Sequence, residues 1–144
     1  MRNKLIRVLR AFKYAAKGII YAIKNERNMR FHTAAAMYVL LLSFFCGVSQ
    51  SQFLVLVLVI ALVIRAEMFN SAAENIIDLC SKQYSTTAKI AKDIAAGGVL
   101  VVSLAAVVVG GAIFFKKEAC INLWASFCAF PFLFVLIFLS LFPT

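Results

Sequence analysis

The chain has 144 residues, 64% of them hydrophobic, and its mean hydropathy is +0.95. A soluble domain needs far less apolar material for its core, so this composition excludes an ordinary soluble protein and indicates one small domain, residues 1–144, in a lipid bilayer. There are 15 Lys and Arg against 6 Asp and Glu, a formal net charge of +9. In so apolar a chain this excess favours anionic lipid headgroups and phosphate as partners, and we do not expect nucleic acid to bind.

The leading segment, residues 1–30, is predicted to be an amphipathic helix lying in the headgroup plane of the membrane. A plain interfacial anchor would show the same pattern, so that alternative stays open when these residues are considered alone. Apolar residues recur along the segment at alternating steps of four and three, and basic residues occupy the other side: Leu5, Leu9, Phe12, Ala16, Ile19 or Ile20, and Ile23 against Arg7, Arg10, Lys13, Lys17 and Lys24.

Three apolar segments follow, residues 31–48, 53–73 and 94–115, and each is predicted to cross the membrane as an α-helix. The middle segment reaches a spanning length only by carrying Glu67 and other polar residues into its last turns. Residues 119–142 supply a further apolar stretch, which we expect to be a fourth, C-terminal transmembrane helix. The predicted fold is therefore an all-α integral membrane protein with a surface helix and three or four crossings.

Basic residues indicate which side of the membrane each connection faces. The leading segment holds nine Lys and Arg, the connection between the second and third crossings holds several more, and GVSQSQ at residues 47–52 holds none. Because cytoplasmic loops carry an excess of Lys and Arg, both basic regions are predicted to face the cytoplasm. Lys116 and Lys117 are predicted to lie on the opposite side, but two basic residues do not outweigh the nine of the leading segment.

The acidic residues are concentrated at predicted cytoplasmic ends of membrane segments: Glu26, Glu67, Glu74, Asp78 and Asp93. Four polar positions at i, i+3, i+7 and i+11 lie on one helix face: Glu67, Asn70, Glu74 and Asp78. An ionisable group at membrane depth costs about 2.5–3.5 kcal/mol, so Glu67 is predicted to be functional. Lys92 and Asp93 open the next crossing at a similar depth, although alone they would suit a snorkelling lysine and a dipole-favoured aspartate.

Two common kinds of catalytic site are excluded because the sequence lacks the residues that they require. The only histidine is His32, which excludes a Ser-His-Asp set, and no GxxxxGK[ST] loop is present. Carboxylates beside cations remain, and such a set can bind Mg²⁺ together with a polyphosphate. Phosphoryl transfer further needs a carboxylate to take a proton from the attacking hydroxyl, and Glu67 lies deepest, where a lipid alcohol would reach it.

Three motifs then carry a resemblance to a known family, the prokaryotic diacylglycerol and undecaprenol kinases. AEMFNSAAENIID at residues 66–78 resembles their ExxNTAIExxxD signature, and AKIAKDIAAGGVL at 88–100 resembles AKDxAAxAV. NERNMRFH at 25–32 resembles the ERNxxFH segment of the Gram-positive branch. The similarity extends over about residues 7–115. This sequence departs from the family at Ser71, Ala73 and Gly98 and in its long apolar tail.

The resemblance implies an ATP- and Mg²⁺-dependent lipid kinase in the bacterial plasma membrane. It further implies a homotrimer whose active sites are shared between subunits at the cytoplasmic face. On the matching positions, Glu67 would be the general base, and Glu26 with Glu74 would hold the metal. The implied nucleotide contacts are Arg7, Tyr14, Asn70, Asp78, Lys92 and Asp93. Arg30 and His32 would play supporting parts.

The lipid acceptor is predicted to be undecaprenol, because the ERNxxFH and AAG features resemble the branch that phosphorylates this polyprenol. Diacylglycerol is the alternative acceptor, since it is also a primary alcohol on long apolar chains. A non-enzymatic channel or scaffold would account for the row of acids but leaves Lys92 and the basic surface helix unexplained. A phosphatase that forms a phosphohistidine is disfavoured because His32 has no second histidine beside it in the sequence.

Overall fold

A computed structural model describes residues 2–80 and 85–115, and every element within them is an α-helix. The four helices are α1 (Arg2–Asn25), α2 (Arg27–Phe45), α3 (Gln50–Cys80) and α4 (Thr86–Phe114). The predicted all-α class is confirmed over this part of the chain. The predicted fourth transmembrane helix, residues 119–142, lies outside the described residues.

The predicted surface segment is divided in two at Glu26, which corrects the expectation of one helix over residues 1–30. Glu26 has an extended backbone, with φ −101° and ψ 119°. Its N–H donates to the Ala22 carbonyl at 2.9 Å, and its own carbonyl accepts from the Arg30 N–H at 3.2 Å. One residue therefore ends α1 and begins α2. The spacing of apolar residues hides this break, because helical geometry resumes at once.

Helix α2 ends before residue 48 in a Schellman-type cap. Gly47 has a φ of +55°, a conformation that glycine adopts without the steric penalty of a Cβ. The Gly47 N–H donates to the Phe44 carbonyl at 3.2 Å, and the Val48 N–H donates to the Ser43 carbonyl at 3.3 Å. Val48 then packs on an apolar cluster that joins α2, α3 and α4: Leu42, Cys46, Leu56, Ile113 and Phe114.

A capping box begins α3. The Ser49 N–H donates to Gln52 Oε1 at 3.0 Å, and the Gln52 N–H donates to Ser49 Oγ at 3.3 Å. This reciprocal pair satisfies two of the backbone donors that a helix N-terminus leaves free. The polar sequence after α2 is therefore a tight connection that returns the chain along the bundle.

Two of the described helices, α3 and α4, are long and apolar enough to cross a membrane. Only 17% of the most apolar stretch of each is buried, so neither is the core helix of a soluble protein. With 31 and 29 residues, both helices are longer than the roughly 30 Å thickness of a hydrocarbon layer. Helix α2 does not reach this standard within the described residues, because Arg27 and Arg30 occupy its first turn.

The helices pack as neighbours in chain order, with the most extensive contact between α3 and α4. Helix α1 packs mainly on α2 and has a smaller contact with α3. Ala22, near the C-terminal end of α1, is buried, whereas Leu5, Leu9 and Phe12 are exposed. The apolar stripe of α1 is therefore left uncovered by the described part of the single chain.

Candidate active site

The row of polar residues on α3 runs from the protein interior out to water. Glu67 is 2% exposed and Asn70 is 6% exposed. Glu74 is half-buried, and the Asp78 side chain is 66% exposed. Eleven residues of helix separate Glu67 from Asp78, a rise of about 16 Å. The four side chains thus share one face of α3 that becomes steadily wetter.

Asn70 links the buried and exposed parts of this row. Its Nδ2 donates to Glu74 Oε1 at 2.9 Å, which fixes the orientation of that carboxylate. Its Oδ1 is buried and has no hydrogen-bond partner among the described residues. Since buried polar atoms are seldom left unpaired, this acceptor indicates room for a donor that belongs to a ligand or water.

The junction of α1 and α2 brings Glu26 and Asn28 to Glu67. The Glu26 and Glu74 carboxylates lie close enough to repel the Glu67 charge, and Asn28 is within hydrogen-bonding reach of the Glu67 carboxylate. Across residues 2–80 and 85–115, no three acidic, His or Cys side chains converge on one metal position. Mg²⁺ is commonly held by one or two carboxylates plus water and phosphate oxygens, so the donor set of Glu26 and Glu74 fits it.

A basic residue, Lys92, lies at the wet end of the row, the water-exposed end around Asp78. Lys92 Nζ lies 2.5 Å from Asp78 Oδ1, and this ion pair ties the start of α4 to the end of α3. Both side chains are substantially exposed, so the pair contributes at most about 1 kcal/mol to stability. Asp93 is exposed beside Lys92. The structure therefore places Lys92 beside Asp78 at the water-exposed end of the row, and Asp93 is the next residue along α4.

The two predicted site residues of α1 are not joined to this group. Arg7 and Tyr14 are exposed, and neither forms a hydrogen bond or ion pair with the polar row in the described part of the chain. Both residues point away from the single chain's own interior. The residues of α2, α3 and α4 are thus assembled within one chain, and those of α1 are not.

A cavity of about 310 Å³ opens beside Glu67 between α2, α3 and α4. Glu67 and Asn70 line its α3 wall, and Phe31 and His32 contribute from α2. The α4 wall is apolar apart from Ser103. The cavity therefore combines apolar walls with a few convergent polar groups, as small-molecule sites usually do.

Arg30, for which the sequence indicates only a supporting part, is buried in the structure. Arg30 is 3% exposed, its Nε has no partner, and its Nη1 only approaches the Lys24 carbonyl at 3.4 Å. It forms no ion pair with a carboxylate of residues 2–80 or 85–115. A buried guanidinium without an anion is costly, and an arginine at the start of an apolar segment was the signal for it. Asn28 lies within the ERNxxFH segment, although no role was assigned to it, and Ser103 lies outside every motif.

Comparisons with known proteins agree with the motifs. The family model described as prokaryotic diacylglycerol kinase matches residues 13–114. The chain is similar to an undecaprenol kinase of Bacillus subtilis, 36% identical over 116 residues, which are 81% of this chain and 94% of the relative. A diacylglycerol kinase of Synechocystis is 41% identical over 105 residues, 72% of this chain and 60% of the relative. A diacylglycerol kinase of Escherichia coli is 27% identical over 121 residues, 84% of this chain and 92% of the relative.

Proposed function

Because the chain belongs to the prokaryotic diacylglycerol kinase family, we propose that it transfers phosphate from ATP to the primary hydroxyl of undecaprenol, with Mg²⁺ as cofactor. Membership of this family makes the chain a lipid kinase, in place of the channel or scaffold alternative. The single observation that carries the residue assignment is Glu67, a carboxylate 2% exposed beside a cavity between apolar helices. A lipid alcohol can reach such a group without leaving the bilayer.

Glu67 acts as the general base. As the lipid oxygen forms its bond to the γ-phosphorus, the hydroxyl proton passes to the Glu67 carboxylate and the bond to the bridging oxygen breaks, releasing ADP. A hydrogen bond from Asn28 orients the Glu67 carboxylate before the proton is transferred.

Glu26 and Glu74 are proposed to hold Mg²⁺, which supplies positive charge against the phosphate oxygens. Asn70 supports this site by holding Glu74 in position through the 2.9 Å hydrogen bond. Glu74 is half-buried, between buried Asn70 and exposed Asp78. This position suits a carboxylate that would hold Mg²⁺ while water and phosphate oxygens bind the same ion.

The nucleotide is proposed to lie at the wet end of the row. Lys92 binds the phosphate oxygens, and its ion pair with Asp78 fixes its position. Asp78, Asp93 and Asn70 are the other proposed contacts to the nucleotide. Arg7 and Tyr14 cover the nucleotide from α1, and in the proposed homotrimer they come from a surface that the single chain leaves exposed. Sites shared between subunits would explain why one chain assembles only part of the set.

In the membrane, α2, α3 and α4 are proposed to cross the bilayer while α1 lies on its cytoplasmic surface. The uncovered stripe of Leu5, Leu9 and Phe12 supports this position for α1, since those side chains gain a lipid environment there. The active site then faces the cytoplasm, where ATP is available. Undecaprenol is favoured over diacylglycerol by the ERNxxFH segment, and diacylglycerol remains the second candidate.

The residue assignment is tested with Glu67→Gln, which keeps the shape of the side chain but cannot accept the proton. The rate of phosphate transfer should fall about 10²–10⁴-fold, the usual contribution of a general base. The thermal midpoint in detergent should stay the same or rise, because a buried negative charge is removed. A variant that keeps more than a tenth of the wild-type rate, or that loses activity only by unfolding, would contradict the assignment.

A further inference from the structure

Ser103 is an isolated polar residue in an apolar helix. Between residues 94 and 115 it is the only side chain that carries a hydroxyl, amide or charge. Its Oγ is buried and has no hydrogen-bond partner within the described residues. Serine and threonine in apolar helices usually donate to a carbonyl one turn back, and two residues of α2 do so: Thr33 to Met29 at 2.7 Å and Ser43 to Leu40 at 2.7 Å. The Ser103 hydroxyl makes no such bond to a carbonyl of its own helix.

The register between α3 and α4 places Ser103 at the depth of Glu67. The Lys92–Asp78 ion pair joins the two antiparallel helices at their wet ends. Glu67 precedes Asp78 by eleven residues, and Ser103 follows Lys92 by eleven residues. Eleven residues are about three helical turns. Glu67 therefore lies on the same face of α3 as Asp78, and Ser103 lies on the same face of α4 as Lys92, each about 16 Å further along its helix.

The cavity beside Glu67 confirms this juxtaposition, because Glu67, Asn70 and Ser103 all line it. Asn70, which is 6% exposed, contributes a second buried atom without a partner, its Oδ1. Two unpaired polar atoms and a carboxylate thus meet in a cavity whose remaining α4 wall is apolar. Such a place suits a small polar head on a long apolar chain.

We propose that Ser103 is a positioning residue for the phosphate acceptor, holding the lipid hydroxyl against Glu67. The Ser103 hydroxyl donates to the acceptor oxygen, while the hydrogen of the acceptor hydroxyl points to the Glu67 carboxylate. The second lone pair of that oxygen stays free to attack the γ-phosphorus, and Glu67 receives the proton. This inference rests on the proposed lipid kinase reaction and adds a contact that none of the sequence motifs contains.

The contact involves only the hydroxyl oxygen, so its consequences should be the same for a polyprenol and for diacylglycerol. Ser103→Ala should lower kcat/KM for either lipid about tenfold, the usual value of one hydrogen bond, mainly through the KM for the lipid. The KM for ATP should not change, because the Ser103 hydroxyl contacts the acceptor oxygen and not the nucleotide. Ser103→Thr keeps the hydroxyl and should stay within about threefold of wild type, since the cavity has room for one methyl group.

The experiment measures phosphate transfer in mixed micelles for the wild type, Ser103→Ala, Ser103→Thr and Ser43→Ala. Ser43 is the matched control, a buried serine whose hydroxyl is already bonded within α2, and its variant should keep the wild-type KM for lipid. Should Ser103→Ala fail to fold, Ser103→Cys, which keeps the size but weakens the donor, is measured with the same expectation.

Three results would overturn the inference while leaving the lipid kinase intact: wild-type kinetics in Ser103→Ala, an effect confined to diacylglycerol, or no rescue by threonine together with a raised KM for ATP. An effect on diacylglycerol alone would mean that Ser103 holds an ester carbonyl. Failure of the wild type to phosphorylate either lipid would instead contradict the proposed function itself.

Discussion

Asn70→Ala removes the side chain that orients the proposed metal ligand Glu74. The Asn70 Nδ2 donates to Glu74 Oε1 at 2.9 Å, and both residues are at least partly shielded from water. After the substitution, Glu74 keeps its charge but loses its fixed orientation. We therefore expect weaker binding of Mg²⁺ and of the nucleotide that accompanies it.

The size of the effect follows from the type of hydrogen bond. A bond to a charged group contributes about 1.5–3 kcal/mol, and each 1.4 kcal/mol is a factor of ten in an equilibrium constant. If this energy holds Glu74 in its metal-binding orientation, the Mg²⁺ concentration for half-maximal rate should rise about 10- to 100-fold. The assay is transfer of labelled phosphate to lipid in micelles, with Mg²⁺ titrated at saturating ATP.

Asn75→Ala is the matched control. Asn75 lies on the same helix and donates through the same atom, but its bond at 2.8 Å goes to the Ser71 main-chain carbonyl. Its loss should leave the Mg²⁺ requirement within about twofold of wild type. The reasoning is refuted if Asn70→Ala also stays within twofold, or if the two variants raise the requirement equally.

Two further predictions concern the wet end of the row. Lys92→Gln should raise the KM for ATP about tenfold or more, because a cation on phosphate is lost, while the thermal midpoint hardly moves, since the exposed pair with Asp78 contributes at most about 1 kcal/mol. Cys80, an exposed free thiol at the end of α3, should react with a membrane-impermeant maleimide in inverted membrane vesicles and not in intact spheroplasts, because the proposed orientation puts that end in the cytoplasm.

Each of these predictions has its own check. A drop in thermal midpoint of Lys92→Gln that parallels its loss of activity would show that the ion pair is structural. For the labelling experiment, Cys80→Ser identifies the signal from this thiol. Labelling of Cys80 in intact spheroplasts would reverse the proposed orientation of the whole chain and place the acidic row on the wrong side for ATP.

Local patterns in the sequence predicted the helical fold and the row on α3. The spacing of Glu67, Asn70, Glu74 and Asp78 depends only on helical geometry, so their shared face needs no tertiary information. The break at Glu26 was not predicted, because a single extended residue between two helices barely disturbs the apolar period.

The rest of the site depends on contacts between residues far apart in the chain. Ser103 is one hydroxyl in an apolar run, and only the packing of α4 on α3, in the register marked by the Lys92–Asp78 ion pair, brings it to Glu67. Arg7 and Tyr14 show the complementary case. Their proposed roles require a neighbouring subunit, so neither the local pattern nor the fold of one chain brings them to the site.

The chain is a lipid kinase of this family, and we propose that it phosphorylates undecaprenol with Glu67 as the base. The most direct measurement is transfer of labelled phosphate from ATP with Mg²⁺ to undecaprenol and to diacylglycerol, side by side in detergent micelles, with Glu67→Gln as the blank. We expect label mainly in undecaprenol from the wild type and almost none from Glu67→Gln. Label mainly in diacylglycerol would reverse the choice of acceptor, and label in neither lipid from folded protein would contradict the kinase account.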